Sequence, residues 1–432
     1  MPSTQSTSGT STVEAFNPLE PGTLQCPFPH YQTLRAEAPV HFVAGLGMWF
    51  VTSRELVEEA ISNHTVFSSD FGLPQLPPPP SVADQVAEIQ SQGWPMMPTL
   101  LTCDPPDHHY YRRMVAKTFT PRFVTQQEPA IRSIVSALVD ALTPGEPVNA
   151  ITALAAPAPL RIIAHILNVP DERIDDFKRW SDQFAATIGA QIDEAGALEQ
   201  AHSFLQFQRY FAAELDDRRL EPRDDLLTGL VNASTFDDKD QPLSTAAALS
   251  IISQLLIAGN ETSTKLMTGA LHLLAQEPKW WDWIAEDPAN RTGPFVEEAL
   301  RYLAPVQSMF RITTCEISLG GVTIPAGAMV VLAFGSANRD EKQFEQAEEF
   351  NPERSNARTH LAFGSGIHAC LGAPLARLQA QIMLAQLTSR FSGVRLAPEN
   401  TLEYEPSFML RGLKELSVVF EPRLNEQLPA SN

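Results

Sequence analysis

His360-Leu-Ala-Phe-Gly-Ser-Gly-Ile-His-Ala-Cys-Leu-Gly-Ala-Pro-Leu-Ala-Arg377 is the stretch on which the reading of this 432-residue chain turns. A single cysteine, Cys370, sits in a loop with three glycines, Gly364, Gly366 and Gly372, and a helix-forming run begins directly after the last of them. Glycine removes side chains where a backbone must come close to something flat, and the start of a helix places its positive end near the sulfur and favours thiolate. Such a loop suits a cysteine offered to the iron of a haem. Phe363 is then placed to pack over the sulfur and exclude water, and His368 to reach a haem propionate.

The pattern Phe363, Gly364, Gly366, His368, Cys370, Gly372 resembles the FGxGxHxCxG haem loop of the cytochromes P450. Six fixed residues in order form a specific signal. A second stretch, Gln254–Leu266 (QLLIAGNETSTKL), lies within an apolar helical run. Ala258 and Gly259 are small residues in mid-helix, where glycine is costly and where close approach of a ligand would account for them. Thr262 follows Ala258 by four residues, so its hydroxyl reaches that carbonyl and bends or opens the helix. This resembles the family's oxygen-activating motif (A/G)Gx(D/E)T, with Glu261 and Thr262 as the acid and alcohol that pass protons.

Further matches follow in the family's order. Glu298-Ala-Leu-Arg301 reads on its own as a surface pair at i,i+3, and it resembles the structural ExxR pair. The resemblance implies a third arginine, Arg354 of the segment NPER, with Arg358 as a substitute because the link to His360 is short. In Asp104–Arg113 (DPPDHHYYRR), His108 and Arg112 share one helix face. The residues alone leave open a metal site built on His108, His109 and nearby acids. The resemblance makes His108 and Arg112 propionate ligands, joined by Arg311 and His368, a set suited to a buried dianion.

Away from these motifs, 44% of the residues are hydrophobic, enough for a sizeable core. Thirty-one Lys and Arg against 51 Asp and Glu give a charge of −20, which disfavours nucleic acid and anionic membrane surfaces as partners. Four scattered cysteines, Cys26, Cys103, Cys315 and Cys370, indicate neither a disulfide framework nor a zinc cluster, and fit a reducing cytoplasm. No apolar run is long enough to span a membrane and no secretory signal is present, so a cytoplasmic location is expected.

The expected fold is mainly α with a small β region. Residues 1–14 read as a disordered tail, 15–425 as a single domain and 426–432 as a second tail. Pro39–Thr52 reads as a hairpin, followed by a helix capped by Ser53 and running to about Asn63. Residues 71–100 read as a proline-rich apolar loop, either a simple cover or a lid over a pocket. Residues 121–304 are mostly helical, 309–333 read as antiparallel strands turning at GG and PAG, 373–391 as helix, and the chain beyond 402 as strands.

The resemblance implies the cytochrome P450 fold, with haem b held between a central distal helix and the helix after the cysteine loop. It implies monooxygenase chemistry: RH, O2, two electrons and two protons give ROH and water. With no flavin or iron–sulfur segment in the sequence, a separate ferredoxin with its reductase is the expected donor, and Arg113 and Lys117 are candidates to receive it. Position by position, Gln254, Leu255, Val306, Gln307, Ser308, Met409 and Leu410 join Ala258 in the substrate pocket, with 71–100 and the helices around 180–205 as the lid. An apolar wall with Gln254 or Gln307 as a polar contact suits a terpenoid, a steroid or a substituted aromatic, although both glutamines can equally bond backbone. A peroxide-driven haem-thiolate enzyme and a non-enzymatic haem sensor are the alternatives; neither needs the Glu261–Thr262 pair.

Overall fold

The computed structural model describes residues 13–72, 77–185, 192–232 and 242–423, without the side chains of 117, 118 and 185. In chain order the elements are α1 (Pro21–Gln25), α2 (Phe28–Glu37), β1 (Val40–Val43), β2 (Met48–Val51), α3 (Arg54–Ser62), β3 (Phe67–Ser68), α4 (Ala83–Ser91), α5 (Asp107–Thr118), α6 (Pro121–Asp140), β4 (Pro147–Asn149), α7 (Pro157–Ile166), α8 (Ile174–Ala185), α9 (Glu194–Leu220) and α10 (Leu226–Val231). They continue with α11 (Thr245–Gln276), α12 (Pro278–Glu286), α13 (Pro288–Leu303), β5 (Met309–Thr313), β6 (Ile317–Leu319), β7 (Val322–Ile324), β8 (Met329–Leu332), α14 (Phe334–Ala337), α15 (Ala373–Arg390), β9 (Phe391–Leu396) and β10 (Ser417–Pro422). The expected mainly helical fold with a small β region is what the chain adopts.

The strands form a five-stranded sheet in the order β1-β2-β8-β5-β3, a three-stranded sheet β4-β10-β9 and a β6-β7 pair. The hairpin of β1 and β2 pairs Val40 with Val51 and turns at the predicted Ala44–Gly47. β5 and β8 are antiparallel, as their alternation predicts, and the turns fall at Gly320-Gly321 and Pro325–Gly327. The parallel pairing of β2 with β8 joins segments far apart in the chain.

The longest helix, α11, spans 32 residues and is capped by Ser244, whose side chain accepts from Ala247 N at 3.2 Å. Its Ala/Leu-rich sequence has high helix propensity, and nineteen of its residues are buried. It therefore runs through the core as a scaffold. Helices α8 and α9 pack an aromatic cluster against it: Phe207 lies edge-on to Trp180 at 5.8 Å and to Phe184 at 5.1 Å, and meets Phe211 at 4.9 Å. Burying each such ring stabilises the fold by about 1.5–3 kcal/mol. α15 is tied to α11 by Gln379 Nε2, which donates to Ser263 Oγ at 2.6 Å inside the core.

Four expectations need correction. The stretch 71–100 is not one loop. Pro80–Val82 forms a 3-10 turn leading into α4, because Val82, Val86 and Ile89 make an apolar face that packs on Ala197, Ala201 and Leu205 of α9. The flanking prolines mask that short helix. The amino-terminal tail is also shorter than expected: Val13–Ala15 is a 3-10 turn and Phe16 is buried against Phe50 and Tyr31, while residues 1–12 and 424–432 lie outside the described residues. Ser53 stands at the start of α3, but its side chain makes no capping bond; Asp340 Oδ2 accepts from Arg54 N at 2.8 Å instead. Lastly, α15 ends at Arg390, and Phe391 begins strand β9 by pairing with Pro422.

Candidate active site

The loop between His360 and α15 owes its shape to two glycines in left-handed backbone, Gly364 at φ +63 and Gly366 at φ +66, where an L side chain would be strained. Within it, Cys370 N donates to the Phe363 carbonyl at 2.8 Å, and the N–H groups of Gly372 and Ala373 point to the sulfur. An added Cβ at Gly372 would sit 3.9 Å from Cys370 Sγ. Burial pushes the thiol pKa up, and the two N–H donors, Arg112 and Arg377 only partly offset it. The helix end therefore acts in the expected direction without by itself producing a thiolate; a metal bound at the sulfur would do so outright.

Cys370 is nonetheless exposed in surface terms. The same holds for Ala258 in the middle of the buried helix α11. The Cys370 sulfur is all the same closely surrounded by chain, and Ala258 stands on a helix most of whose residues are buried. Gly259 turns its bare side to α7, where an added Cβ would meet Ile163 at 3.8 Å, an ordinary contact. Protein packing therefore does not demand glycine at that position.

Beside the cysteine loop stands a group of polar side chains short of partners. His108 is buried with neither ring nitrogen bonded, and His368 Nε2 is equally unpartnered. The two rings lie 4.1 Å apart. His368 Nδ1 meets the Leu100 carbonyl at 3.2 Å, so Nδ1 carries the proton there. Burial, reinforced by Arg112, holds His108 down at about 4. Burial together with His108 and Arg311 holds His368 at about 3. Arg311 is buried, donates to its neighbour Phe310 O at 2.6 Å and is pushed down to about 10. Arg112 is half-buried and close enough to Cys370 for their charges to interact. Asp104, held by Ser68 and by Ser69 N at 2.9 Å, is the acid beside them. A dianion with two carboxylates fits this cluster: it would supply the missing acceptors and reverse the depression of both histidines. His108 and His109 lie 5.9 Å apart by ring centroid, and among the described residues no group of three or more His, Cys, Asp or Glu is gathered to hold a free metal ion.

On α11, Thr262 Oγ1 donates to the Ala258 carbonyl at 2.8 Å, yet the helix stays α-helical throughout instead of opening. Glu261 does not stand free behind it. Lys265 Nζ lies 2.5 Å from Glu261 Oε1 and 2.5 Å from Glu405 Oε2, with the lysine buried and Glu405 reaching the surface. Glu298 and Arg301 are fully buried and paired through two bonds, Arg301 Nε to Oε2 at 2.8 Å and Nη2 to Oε1 at 2.7 Å. Arg354 Nε joins them at 3.2 Å. Arg358 does not: it is largely exposed and turns to Glu297 at 3.7 Å.

The two pocket segments come together as a pair: Val306 bridges Leu410, Gln307 N donates to Met409 O at 2.7 Å, and Ser308 Oγ to Phe408 O at 3.2 Å. Leu255, Val306, Met409 and Leu410 are each half-buried. Gln254 and the amide nitrogen of Gln307 are committed elsewhere, while Gln307 Oε1 is buried without a partner. Gln307 Nε2 caps α13 by donating to Leu303 O at 3.0 Å and Ala304 O at 2.7 Å. Gln254 fastens the 94–101 loop, accepting from Leu101 N at 3.3 Å and donating to Thr99 Oγ1 at 2.8 Å. Lys265, Asp104 and Glu297 carry interactions that sequence reasoning did not assign. Arg113 is exposed on α5, and the side chain of Lys117 lies outside the described residues. Among the described residues no helix is long and apolar enough to cross a membrane.

A family model, Cytochrome P450, matches residues 292–415. Cytochrome P450 107B1 of Saccharopolyspora erythraea is 35% identical over 88% of this chain and 91% of its own. The vitamin D(3) 25-hydroxylase of Pseudonocardia autotrophica is 34% identical over 96% of this chain and 98% of its own. The crystal structure of CYP109E1 from Bacillus megaterium in complex with corticosterone superposes with a TM-score of 0.80 at 31% identity, covering 92% of this chain and 99% of that one.

Proposed function

The chain belongs to the cytochrome P450 superfamily of haem-thiolate monooxygenases, and from that premise we propose which of its residues do the work and on what kind of substrate. Cys370 is the thiolate ligand of the haem, under Phe363 and beside Gly372. His108, Arg112, Arg311 and His368 would hold the two propionates, and Ala258 of α11 would lie against the haem, whereas the bare side of Gly259 faces Ile163 of α7. The cluster of unpartnered nitrogens at His108 and His368 is the single observation that carries this assignment. The described chain works as one catalytic domain.

Bound haem supplies the dioxygen chemistry, in which two electrons and two protons convert RH and O2 to ROH and water. The chain positions the protons. Thr262 has one O–H, and it is spent on Ala258 O. Its oxygen is left as an acceptor, so it holds a water through that water's own hydrogen. Glu261 is the adjacent acid, and Lys265, which pairs with both Glu261 and Glu405, links it towards the surface. The N–H groups of Gly372 and Ala373 draw charge from the sulfur and temper its donation.

The substrate is a hydrophobic small molecule of the terpenoid, steroid or substituted aromatic kind. Leu255, Val306, Met409 and Leu410 give it an apolar wall, and the vitamin D(3) hydroxylase and the corticosterone complex are relatives that handle molecules of this type. With Gln254 committed to the loop and the Gln307 amide nitrogen to backbone, the wall offers mainly shape. The alternatives, a peroxide-driven enzyme or a haem sensor, leave the Thr262–Ala258 bond without a task. Electrons come from a separate ferredoxin and its reductase in the cytoplasm, an acidic donor meeting local cations on a chain of net charge −20.

A screen of hydrophobic compounds for a haem spectral shift, followed by turnover under isotopically labelled dioxygen with a ferredoxin system, tests this reading. One labelled oxygen per product molecule is expected. Product without label, or formed as fast from peroxide as from dioxygen and electrons, would overturn it.

A further inference from the structure

The residue before Glu298 is a second buried acid, and it faces a different way because neighbours on a helix point about 100° apart. Glu297 is 2% exposed. Its Oε1 accepts from Arg377 Nε at 2.7 Å, and its Oε2 from Arg377 Nη2 at 3.1 Å and from His360 Nε2 at 3.2 Å. Arg358 lies farther out at 3.7 Å. His360 stands immediately before the cysteine loop, and Arg377 lies one turn into the helix after it. A single carboxylate on α13 thus closes the loop at both ends.

The protonation pattern is fixed by a second bond. Ala362 N donates to His360 Nδ1 at 3.2 Å, so Nδ1 is an acceptor and the ring proton sits on Nε2, facing Glu297. The imidazole is therefore neutral and acts as a dipole. The charge opposite Glu297 is Arg377, whose guanidinium also lies over the Phe363 ring, 4.6 Å from its centroid. Phe363 in turn accepts the Cys370 N–H at 2.8 Å. The positive charge of Arg377 is held beside the sulfur, close enough to act on it.

We propose that Glu297 is a positioning residue which cinches the cysteine loop through His360 and Arg377, and that the Glu297–Arg377 pair sets the reduction potential of the iron through the charge it fixes against Phe363. The inference rests on Cys370 as the ligand. A positive charge near the thiolate favours the reduced iron, and its buried counter-charge opposes that. Removing either member therefore shifts the potential, in opposite directions.

The test compares the holoenzyme with Glu297→Gln, Arg377→Gln and Arg377→Lys. Three quantities are read: the reduction potential, the rate of haem transfer to apomyoglobin, and the ferrous carbonyl spectrum. Glu297→Gln should move the potential positive and Arg377→Gln should move it negative. Both should speed haem release by about tenfold or more, and Arg377→Lys should restore most of the potential. If Glu297→Gln yields no holoenzyme, the negative shift in Arg377→Gln decides. Potentials unmoved in variants that keep the thiolate spectrum, shifts of the same sign, or unchanged haem release would overturn the proposal. Absence of the thiolate band in the wild-type protein would instead overturn the ligand assignment.

Discussion

Thr262 and Ala258 are joined by a 2.8 Å hydrogen bond from the threonine hydroxyl to the alanine carbonyl, one turn back on the same helix. The bond orients the hydroxyl and leaves its oxygen as an acceptor. Thr262→Ala should still bind substrate and accept electrons, but product per reducing equivalent should fall by about tenfold, with hydrogen peroxide making up the difference. Peroxide and product assays in the same reaction check this; unchanged coupling would remove Thr262 from proton delivery.

Glu261 is placed differently from an acid standing free behind the hydroxyl. It is salt-bridged to a buried lysine that also holds Glu405. Glu261→Gln should slow turnover on the order of a hundredfold while leaving coupling nearly intact, because the water held at Thr262 remains. Steady-state rates with the peroxide yield separate the two effects. Coupling lost as completely as in Thr262→Ala would show that the two side chains act as one unit.

Glu298 and Arg301 are both fully buried, and Arg354 completes the set. Glu298→Ala leaves two arginines facing a lost counter-charge, which costs about 3–5 kcal/mol. The expected outcome is failure to incorporate haem, read as the ratio of Soret to protein absorbance after purification. A fully loaded, active variant would contradict a structural role.

Burial pushes the Glu297 carboxyl up, but hydrogen bonds from His360 and Arg377 outweigh it and hold it at about 2, below the ordinary 4.5. The unfolded chain then binds more protons than the folded one between these values. The stability the group contributes is fully present above about 4.5 and is lost as pH falls towards about 2. Glu297→Gln should be less stable than wild type near neutrality, and the difference should shrink in acid. Urea midpoints at about pH 6 and about pH 3 measure it; a difference independent of pH would contradict the assignment.

The local geometry was legible in the sequence. The Cys370 loop, the i,i+4 relation of Ala258 and Thr262, and the Pro39–Thr52 hairpin each depend on residues a few positions apart. What escaped depends on distant partners. Glu297 meets His360 and Arg377 across 63 and 80 positions and reads from sequence as a neighbour of Glu298. Gln254 and Gln307 sit where a pocket contact is expected, but their partners, Thr99 and the end of α13, show only once the chain is folded. The short helix α4 is hidden by prolines before it, and its apolar face makes sense only against α9. Periodicity reports that a face is apolar; it does not report what covers it.

The ferrous carbonyl spectrum tests the central claim most directly, because the position of the Soret band reports the atom bound opposite the carbon monoxide. Wild-type protein should show the strongly red-shifted band of thiolate ligation, and Cys370→Ser should lose it while remaining folded by circular dichroism. An unshifted band in the wild type, or the same red-shifted band in Cys370→Ser, would contradict a haem-thiolate enzyme built on Cys370.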